Sequence, residues 1–481
     1  MPRKPNLLFI FTDEQRADTL GAYGNRSIRT PNLDRLANQS VLFENAYVTQ
    51  SVCTPSRSTI MTGLWPHTNG CTANNIPLRE ETPTIAEMMD RDNCAFGYHG
   101  KWHLGDEVVA QHGFDEWVSI EDFYWMHSSR PEYEDLLSDY CRFLDAKGIE
   151  PDGRRGKDHE LPQYSRDLSA RLPEELGKPA FLAENTCRFI EQNRDRRFCL
   201  FVNFLEPHMP FFGPRDHEYP PAEVTLPDNF EHQLGADVPE KCRRLAEHYR
   251  RKGHSGLKLE TEADWRRMIA NYWGLVSLVD SSVGRILGKL NECGLDDETI
   301  VVFTSDHGDM MGSHRLLAKT VQFEEALRVP LTVRLPGVSP RRITERVSQI
   351  DLVPTLLELM GEVRPDSLQG ASLASPISRG RPFEPRDVFV EWNSSDLDPK
   401  NDDTYDSDSD TAVRTVISPK GWKFNWGENG ECELYNLASD PLETENLFGR
   451  PENAAVISDL EARIRTWQEQ TADTVALPGV S

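Results

Sequence analysis

Asn6-Leu7-Leu8-Phe9-Ile10-Phe11-Thr12-Asp13-Glu14-Gln15 is a near-continuous apolar run that stops abruptly in two carboxylates and an amide. A half-exposed strand alternates polar and apolar residues, whereas a run apolar at almost every position belongs to a strand covered on both faces, the habit of parallel sheets. In open α/β sheets functional groups gather at the carboxyl ends of strands, where Asp13 and Glu14 fall. The layout returns in Thr299-Ile300-Val301-Val302-Phe303-Thr304-Ser305, followed by Asp306-His307-Gly308-Asp309. It returns again in Phe198-Cys199-Leu200-Phe201-Val202-Asn203-Phe204, leading into Glu206-Pro207-His208-Met209-Pro210. Helical patterns lie between, at 83–89 and over a long stretch at 262–290. Thr30 before Pro31 is expected to open another helix by capping it. The alternation predicts an α/β fold with a large, mostly parallel sheet flanked by helices.

After about residue 380 the pattern shortens to brief apolar runs at 388–392, 412–418 and 421–426. These predict a smaller C-terminal α+β domain, residues 381–481, with an antiparallel sheet and a terminal helix at about 451–470. The main domain is then 1–380, with an insertion at about 120–180 carrying Trp125, His127, Arg130, Tyr133 and Tyr140. Loops carry specificity on such folds, so these side chains are expected to wall the mouth of a cleft. Asp396, Asp398, Asp402, Asp403, Asp406, Asp408 and Asp410 are expected to form a solvated acidic loop.

Among 481 residues, 53 basic side chains stand against 78 acidic ones, a net charge of −25 with His neutral. Such a surface repels nucleic acid and anionic membranes, so neither is an expected partner. An anionic substrate would need a locally reversed field, which a divalent cation with Arg57, Lys101 and Lys319 would supply. Nine scattered cysteines contain no Cys-x-x-Cys pair, and the N-terminal apolar run is too short for a secretory core. No stretch has the length to span a membrane. The expected setting is cytoplasmic, with reduced thiols.

Ser51-Val52-Cys53-Thr54-Pro55-Ser56-Arg57-Ser58-Thr59-Ile60-Met61-Thr62-Gly63 reads as a helix start, since Pro55 suits a first turn. Cys53 then lies at a helix N-terminus, where backbone N–H groups and the dipole favour negative charge. Arg57, one turn on, can donate two hydrogen bonds to oxyanions. In Phe96-Gly97-Tyr98-His99-Gly100-Lys101-Trp102-His103-Leu104-Gly105, Lys101 and His103 are two apart, so an extended strand would put them on one face. An ammonium and an imidazole together suit holding an oxyanion and moving a proton. His99 reads as a supporting or solvated residue. Strand-end carboxylates such as Asp13 and Asp306 are hard oxygen ligands for Ca²⁺ or Mg²⁺.

The order of these motifs resembles the type I sulfatase family, with Cys53-Thr54-Pro55-Ser56-Arg57 as its first signature and Gly100-Lys101-Trp102-His103-Leu104-Gly105 as its second. The likeness runs from about residue 6 to 333. It resumes in Trp422-Lys423-Phe424-Asn425-Trp426 and Glu433-Leu434-Tyr435-Asn436-Leu437-Ala438-Ser439-Asp440-Pro441. The resemblance implies an alkaline phosphatase-like fold and hydrolysis of sulfate esters. It implies that a separate formylglycine-generating enzyme oxidises Cys53 to an aldehyde. The hydrated aldehyde would attack sulfur with one hydroxyl and expel sulfate with the other. It assigns Asp13, Glu14, residue 53, Asp306 and His307 to one divalent metal, Ca²⁺ first and Mn²⁺ or Mg²⁺ next. It assigns Arg57, Lys101, His103, His208 and Lys319 to catalysis, with His314 a weaker candidate near the substrate oxygen. The chain departs from the family at Glu14, where many members carry Asp, and at His307, where many carry Asn. The Asp-His pair occurs in a branch that includes phosphonate monoester hydrolases and choline- and iduronate-type sulfatases.

Three readings follow: a sulfuric ester hydrolase acting on a small sulfate ester, a phosphonate monoester or phosphodiester hydrolase using the same site, and a non-catalytic binding protein that keeps the fold. Self-association into a homo-oligomer is compatible with each.

Overall fold

The computed structural model describes residues 4–122, 127–149, 172–254, 256–394 and 411–479. Trp125 and the acidic stretch at 396–410 lie outside the described residues. The opening apolar run is strand β1 (Asn6–Asp13), buried along its whole length. It lies inside an eight-stranded sheet with β2 (Val41–Tyr47), β3 (Cys94–Gly100), β4 (Glu116–Val118), β5 (Arg197–Pro207), β6 (Thr299–Ser305), β7 (Arg328–Arg334) and β8 (Arg341–Ser348). The spatial order is β4-β3-β5-β1-β6-β7-β2-β8. Only β7 opposes the rest, since it pairs antiparallel with both β6 and β2, while the other neighbours pair in parallel.

Alternation along β1 feeds two cores, as the two-residue strand period requires. Leu7, Phe9 and Phe11 join Phe96, Phe201 and Val302 on one face. Phe9 stacks on Phe201 with ring centroids 4.7 Å apart. Leu8 and Ile10 join Leu200, Val202 and Val301 on the other.

The helices used below are α1 (Pro31–Asn38), α2 (Cys53–Thr62), α3 (Asp139–Ala146), α4 (Lys178–Gln192), α5 (Glu240–Lys252), α6 (Glu262–Glu292), α7 (Leu352–Leu359) and α8 (Ala454–Thr471). The stretch at 83–89 makes only one helical turn, Ile85–Met88, closed by a capping box between Thr84 and Glu87. Helix α6 starts at a capping box between Thr261 and Asp264 and buries Ile269, Val276, Val279 and Val283 along one side. Thr30 does precede α1, but its side chain does not cap it. The Asp280 carboxylate of α6 accepts from the Asn32 and Leu33 N–H groups instead, at 3.0 and 2.8 Å.

Within the insertion, Tyr140 does not wall a cleft. It is buried on α3 against Phe181, with centroids 5.5 Å apart, and donates its hydroxyl to the Leu176 carbonyl at 2.9 Å. The C-terminal strands β9 (Val388–Trp392), β10 (Val413–Ile417), β11 (Trp422–Gly427) and β12 (Cys432–Asn436) form an antiparallel sheet ordered β12-β11-β10-β9. Helix α8 packs Ile457, Leu460 and Ile464 against Val416, Phe424, Trp426 and Leu434 of that sheet. Lys423 of this sheet reaches Glu324 of the main body at 3.1 Å and Glu443 of its own region at 2.7 Å.

Candidate active site

Four adjacent strands, β3, β5, β1 and β6, bring polar residues to the same edge of the sheet. Lys101 follows β3, His208 follows β5, Asp13 ends β1, and Asp306 and His307 follow β6. The register pairs Thr12 with Ser305, so Asp13 and Asp306 are the next residues on neighbouring strands. Helix α2, buried throughout, contributes Cys53 from its first position and Arg57 from the next turn.

Arg57 is the clamp of this edge. Its Nε donates to Asp306 Oδ2 at 2.9 Å and its Nη2 to Asp13 Oδ2 at 2.8 Å. Its Nη1 donates to the Lys101 carbonyl and to Asn203 Oδ1, both at 2.8 Å. Four of the five guanidinium N–H groups are thus held by protein, so Arg57 orients the two carboxylates and is not the open oxyanion receiver expected from sequence. Lys101 places its ammonium 2.7 Å from Asp13 Oδ2 and 3.9 Å from Cys53 Sγ. Burial alone would raise the Asp13 carboxyl, yet Lys101, with His208, Arg57 and Lys319, holds it well below the usual range.

The His307 ring shows how the site is aimed. Its Nδ1 lies 2.9 Å from the Gly308 carbonyl, and an N–H must make that contact. In the neutral ring Nε2 then carries the lone pair, and it points at Cys53 Sγ (3.3 Å), Asp13 Oδ1 (3.6 Å) and Asp306 Oδ1 (3.7 Å). One ligand atom from each of Asp13, Cys53, Asp306 and His307 lies within 4.8 Å of the others, all buried. Two carboxylates and an imidazole lone pair turned towards one point fit a divalent cation.

Glu14 is not one of those four residues. It forms a second close group with Asp13 and His208, at a left-handed φ of 68°. Its Oε2 lies 3.0 Å from Lys319 Nζ and 3.5 Å from His208 Nε2. Burial pushes the Glu14 carboxyl up to about 8, against the pull of Lys319. Burial would lower Lys319, but Cys53, Glu14 and Asp13 keep it charged. Burial, then Lys319, pushes the His208 imidazole well below its ordinary value.

Lys101 and His103 do not share a strand. Strand β3 ends at Gly100, and a Cβ there would sit 1.9 Å from the Asn203 carbonyl oxygen, so the chain turns. His103 takes a φ of 58° and sets Nε2 2.9 Å from Asn75 Oδ1. Burial, then Lys101 and Arg57, lowers its imidazole well below the ordinary value. His99 packs away from the edge, with Nδ1 3.1 Å from Thr186 Oγ1 on α4. His314 belongs to another buried group, accepting from Asn229 Nδ2 at 3.0 Å and facing His232 Nδ1 at 2.8 Å.

Three residues complete the site without having been singled out from sequence. Asn203 holds Arg57 and donates to the Phe11 carbonyl at 3.0 Å, and a lone amide inside an apolar strand is its signal. Glu107 accepts the Trp102 and His103 N–H groups, at 2.9 and 2.5 Å, with no local pattern to betray it. Asp309 accepts from Met311 N at 2.6 Å and Ala318 N at 3.1 Å, closing the loop that presents Lys319.

The chain matches the family model described as Sulfatase over residues 5–362, and that of the N-sulphoglucosamine sulphohydrolase C-terminal region over 312–470. It is 28% identical over 510 residues to the multifunctional alkaline phosphatase superfamily protein PehA of Trinickia caryophylli, covering 98% of this chain and 96% of that one. To an ulvan-active sulfatase of Formosa agariphila it is 26% identical over 480 residues, covering 96% and 81%. The phosphonate monoester hydrolase SpPMH of Silicibacter pomeroyi superposes with a TM-score of 0.79 at 23% identity, covering 98% and 96%, a likeness of fold. Since the first family model spans every strand of the main sheet and each strand end that carries a site residue, the chain belongs to the sulfatase family of hydrolases, in the alkaline phosphatase superfamily.

Proposed function

We propose that this chain hydrolyses sulfate esters at the carboxyl edge of β3, β5, β1 and β6, with Cys53 matured to formylglycine and a divalent cation, Ca²⁺ first, held by Asp13, Asp306, His307 and residue 53. The observation that carries the reading is the buried convergence of those four side chains beside Arg57 and Lys101. Burial and then Asp13 push the Cys53 thiol up to about 11, so the unmodified residue is a poor nucleophile at neutral pH. Its Sγ marks where the oxygen of the oxidised residue would stand. The aldehyde hydrate would supply the attacking oxygen, and a cation held by these residues would supply Lewis-acid polarisation of the sulfuryl oxygens.

The remaining work falls to the protein. Arg57 fixes the two carboxylates, and Lys101 sets a positive charge against Cys53 and Asp13. His103, held neutral by burial and then by Lys101 and Arg57, is the group that accepts a proton in this reading. His208 and Lys319 stand on the Glu14 side and serve the leaving oxygen. Their loss should weigh most on esters whose leaving groups need protonation.

The same machinery suits a phosphonate monoester or phosphodiester, and the pairing of His307 with Asp306 in the site is the reason for keeping that second reading. The partner for maturation is a formylglycine-generating enzyme. All nine cysteines are free in the structure, and a cytoplasmic setting is part of the proposal. No described helix is long and apolar enough to cross a membrane. Residues 1–380 form the catalytic domain in this proposal, and 381–481 the smaller one. Turnover of an aryl sulfate against a matched aryl phosphonate monoester tests the order of the two readings. A clear preference for the phosphonate would reverse it, and failure of the matured, metal-loaded protein on both would refute them together.

A further inference from the structure

Glu14 stands where the family places a metal carboxylate, yet its side chain is turned to different work. Its backbone stays with the metal group, since the Glu14 N–H donates to Asp306 Oδ1 at 3.1 Å. Its carbonyl accepts from the Tyr272 hydroxyl at 2.6 Å. Pinned at both ends, and with a left-handed φ, the residue groups its carboxyl with Asp13 and His208, and not with Cys53, Asp306 and His307. One oxygen, Oε2, meets both groups of the leaving side, the Lys319 ammonium and the His208 imidazole. The other, Oε1, is buried without a hydrogen-bond partner. Asp309, whose loop carries Lys319, is buried beside this group and acts on the Glu14 carboxyl electrostatically, opposing its ionisation.

We infer that Glu14 is a positioning residue for Lys319 and His208 on the leaving-group side, and not a metal ligand. The extra methylene relative to Asp is the chemical reason. A carboxyl one carbon longer, leaving a backbone fixed by Asp306 and Tyr272, reaches the lysine at 3.0 Å. Asp309 ties the loop from the other side through Met311 N and Ala318 N, so Lys319 is held at its root by Asp309 and at its tip by Glu14. A lysine has a flexible four-carbon stem and orders only where a partner fixes it. Glu14 is that partner in the free enzyme, with the ammonium kept charged and aimed along the edge that residue 53 occupies. The inference rests on the proposed roles of Lys319 and His208.

The test has two arms on Glu14→Gln, with Asp306→Asn as the reference for a lost ligand. In the first, metal per chain and the rise of melting temperature on adding Ca²⁺ are measured, neither of which needs turnover. Glu14→Gln should keep the stoichiometry and the shift of the parent, whereas Asp306→Asn should lose both. If Glu14→Gln loses the ion as Asp306→Asn does, the inference is overturned. In the second, a series of sulfate esters with leaving groups of rising basicity is compared. Glu14→Gln should be within about tenfold of the parent on an activated aryl ester and fall by about a hundredfold on an alkyl ester, the range for losing support of an acid. A defect equal across the series would overturn it. Should the parent cleave no ester, the proposed activity fails while the metal arm still decides whether Glu14 is a ligand.

Discussion

Replacing Arg57 by Met should expose how much of this edge is held by one side chain. The guanidinium makes two charge-assisted hydrogen bonds, to Asp13 at 2.8 Å and Asp306 at 2.9 Å, from a position that is 1% exposed. Such bonds contribute about 1.5–3 kcal/mol each. Removing one partner of a buried ion pair costs about 3–5 kcal/mol, because the carboxylates stay behind without their counter-charge. Taking about 4 kcal/mol as the centre, the folding equilibrium of the metal-free protein should fall about a thousandfold. A bound divalent ion neutralises the same two carboxylates, so guanidinium and ion are thermodynamically coupled. In the parent, an ion at a hundred times its dissociation constant stabilises by about 2.7 kcal/mol. In Arg57→Met it should stabilise by more, narrowing the gap to the parent. Urea unfolding followed by tryptophan fluorescence, in chelator and in Ca²⁺, reads both quantities. Stability in chelator within about 0.5 kcal/mol of the parent, the range of an ordinary surface change, would refute the clamp. So would a gap of the same size with and without the ion.

Other outcomes follow from single contacts. Cys53→Ser should fold with a melting temperature close to the parent and lose steady-state turnover, because the sulfate ester of an unoxidised serine has no second hydroxyl with which to expel sulfate; turnover near the parent rate with residue 53 still a serine would exclude the aldehyde-hydrate route. Asn203→Leu removes the acceptor of one Arg57 N–H and should destabilise by about 1–3 kcal/mol, the cost of leaving a buried donor unpaired, as measured by denaturant midpoint. His67 meets the buried Glu391 at 2.5 Å between the main body and the C-terminal sheet, and although burial opposes it, that pairing raises the imidazole above its ordinary value. A raised histidine stabilises fully below its unfolded value near 6.5 and loses that contribution as pH climbs through the folded one. Melting temperature should therefore fall through this window in the parent and be flatter in His67→Gln; identical profiles would remove His67 from the account.

The sheet was legible because its central strands announce themselves. The apolar runs of β1, β5 and β6 can be stable only when both faces are covered, and Asp13, Asp306 and His208 mark where they end. Helix α6 was legible from its length and apolar face. What escaped depends on partners distant in the chain. Thr30 has the chemistry of a cap, but Asp280, 248 residues from Asn32, takes the N–H groups first. Lys101 and His103 were read as strand neighbours because nothing local shows that the Asn203 carbonyl crowds Gly100 and turns the chain. Tyr140 looks like a cleft residue until Phe181 is seen to cover it. The four site residues of the metal group were legible as types, whereas the turn of the Glu14 side chain was not, since it is set by Tyr272, Lys319 and Asp309 together.

The mass of the peptide containing residue 53, from protein produced with a formylglycine-generating enzyme and shown to turn over an aryl sulfate, tests the central claim most directly. The account predicts an aldehyde or its hydrate in place of the Cys53 thiol, in proportion to the active fraction. An intact thiol throughout a fully active sample would contradict it.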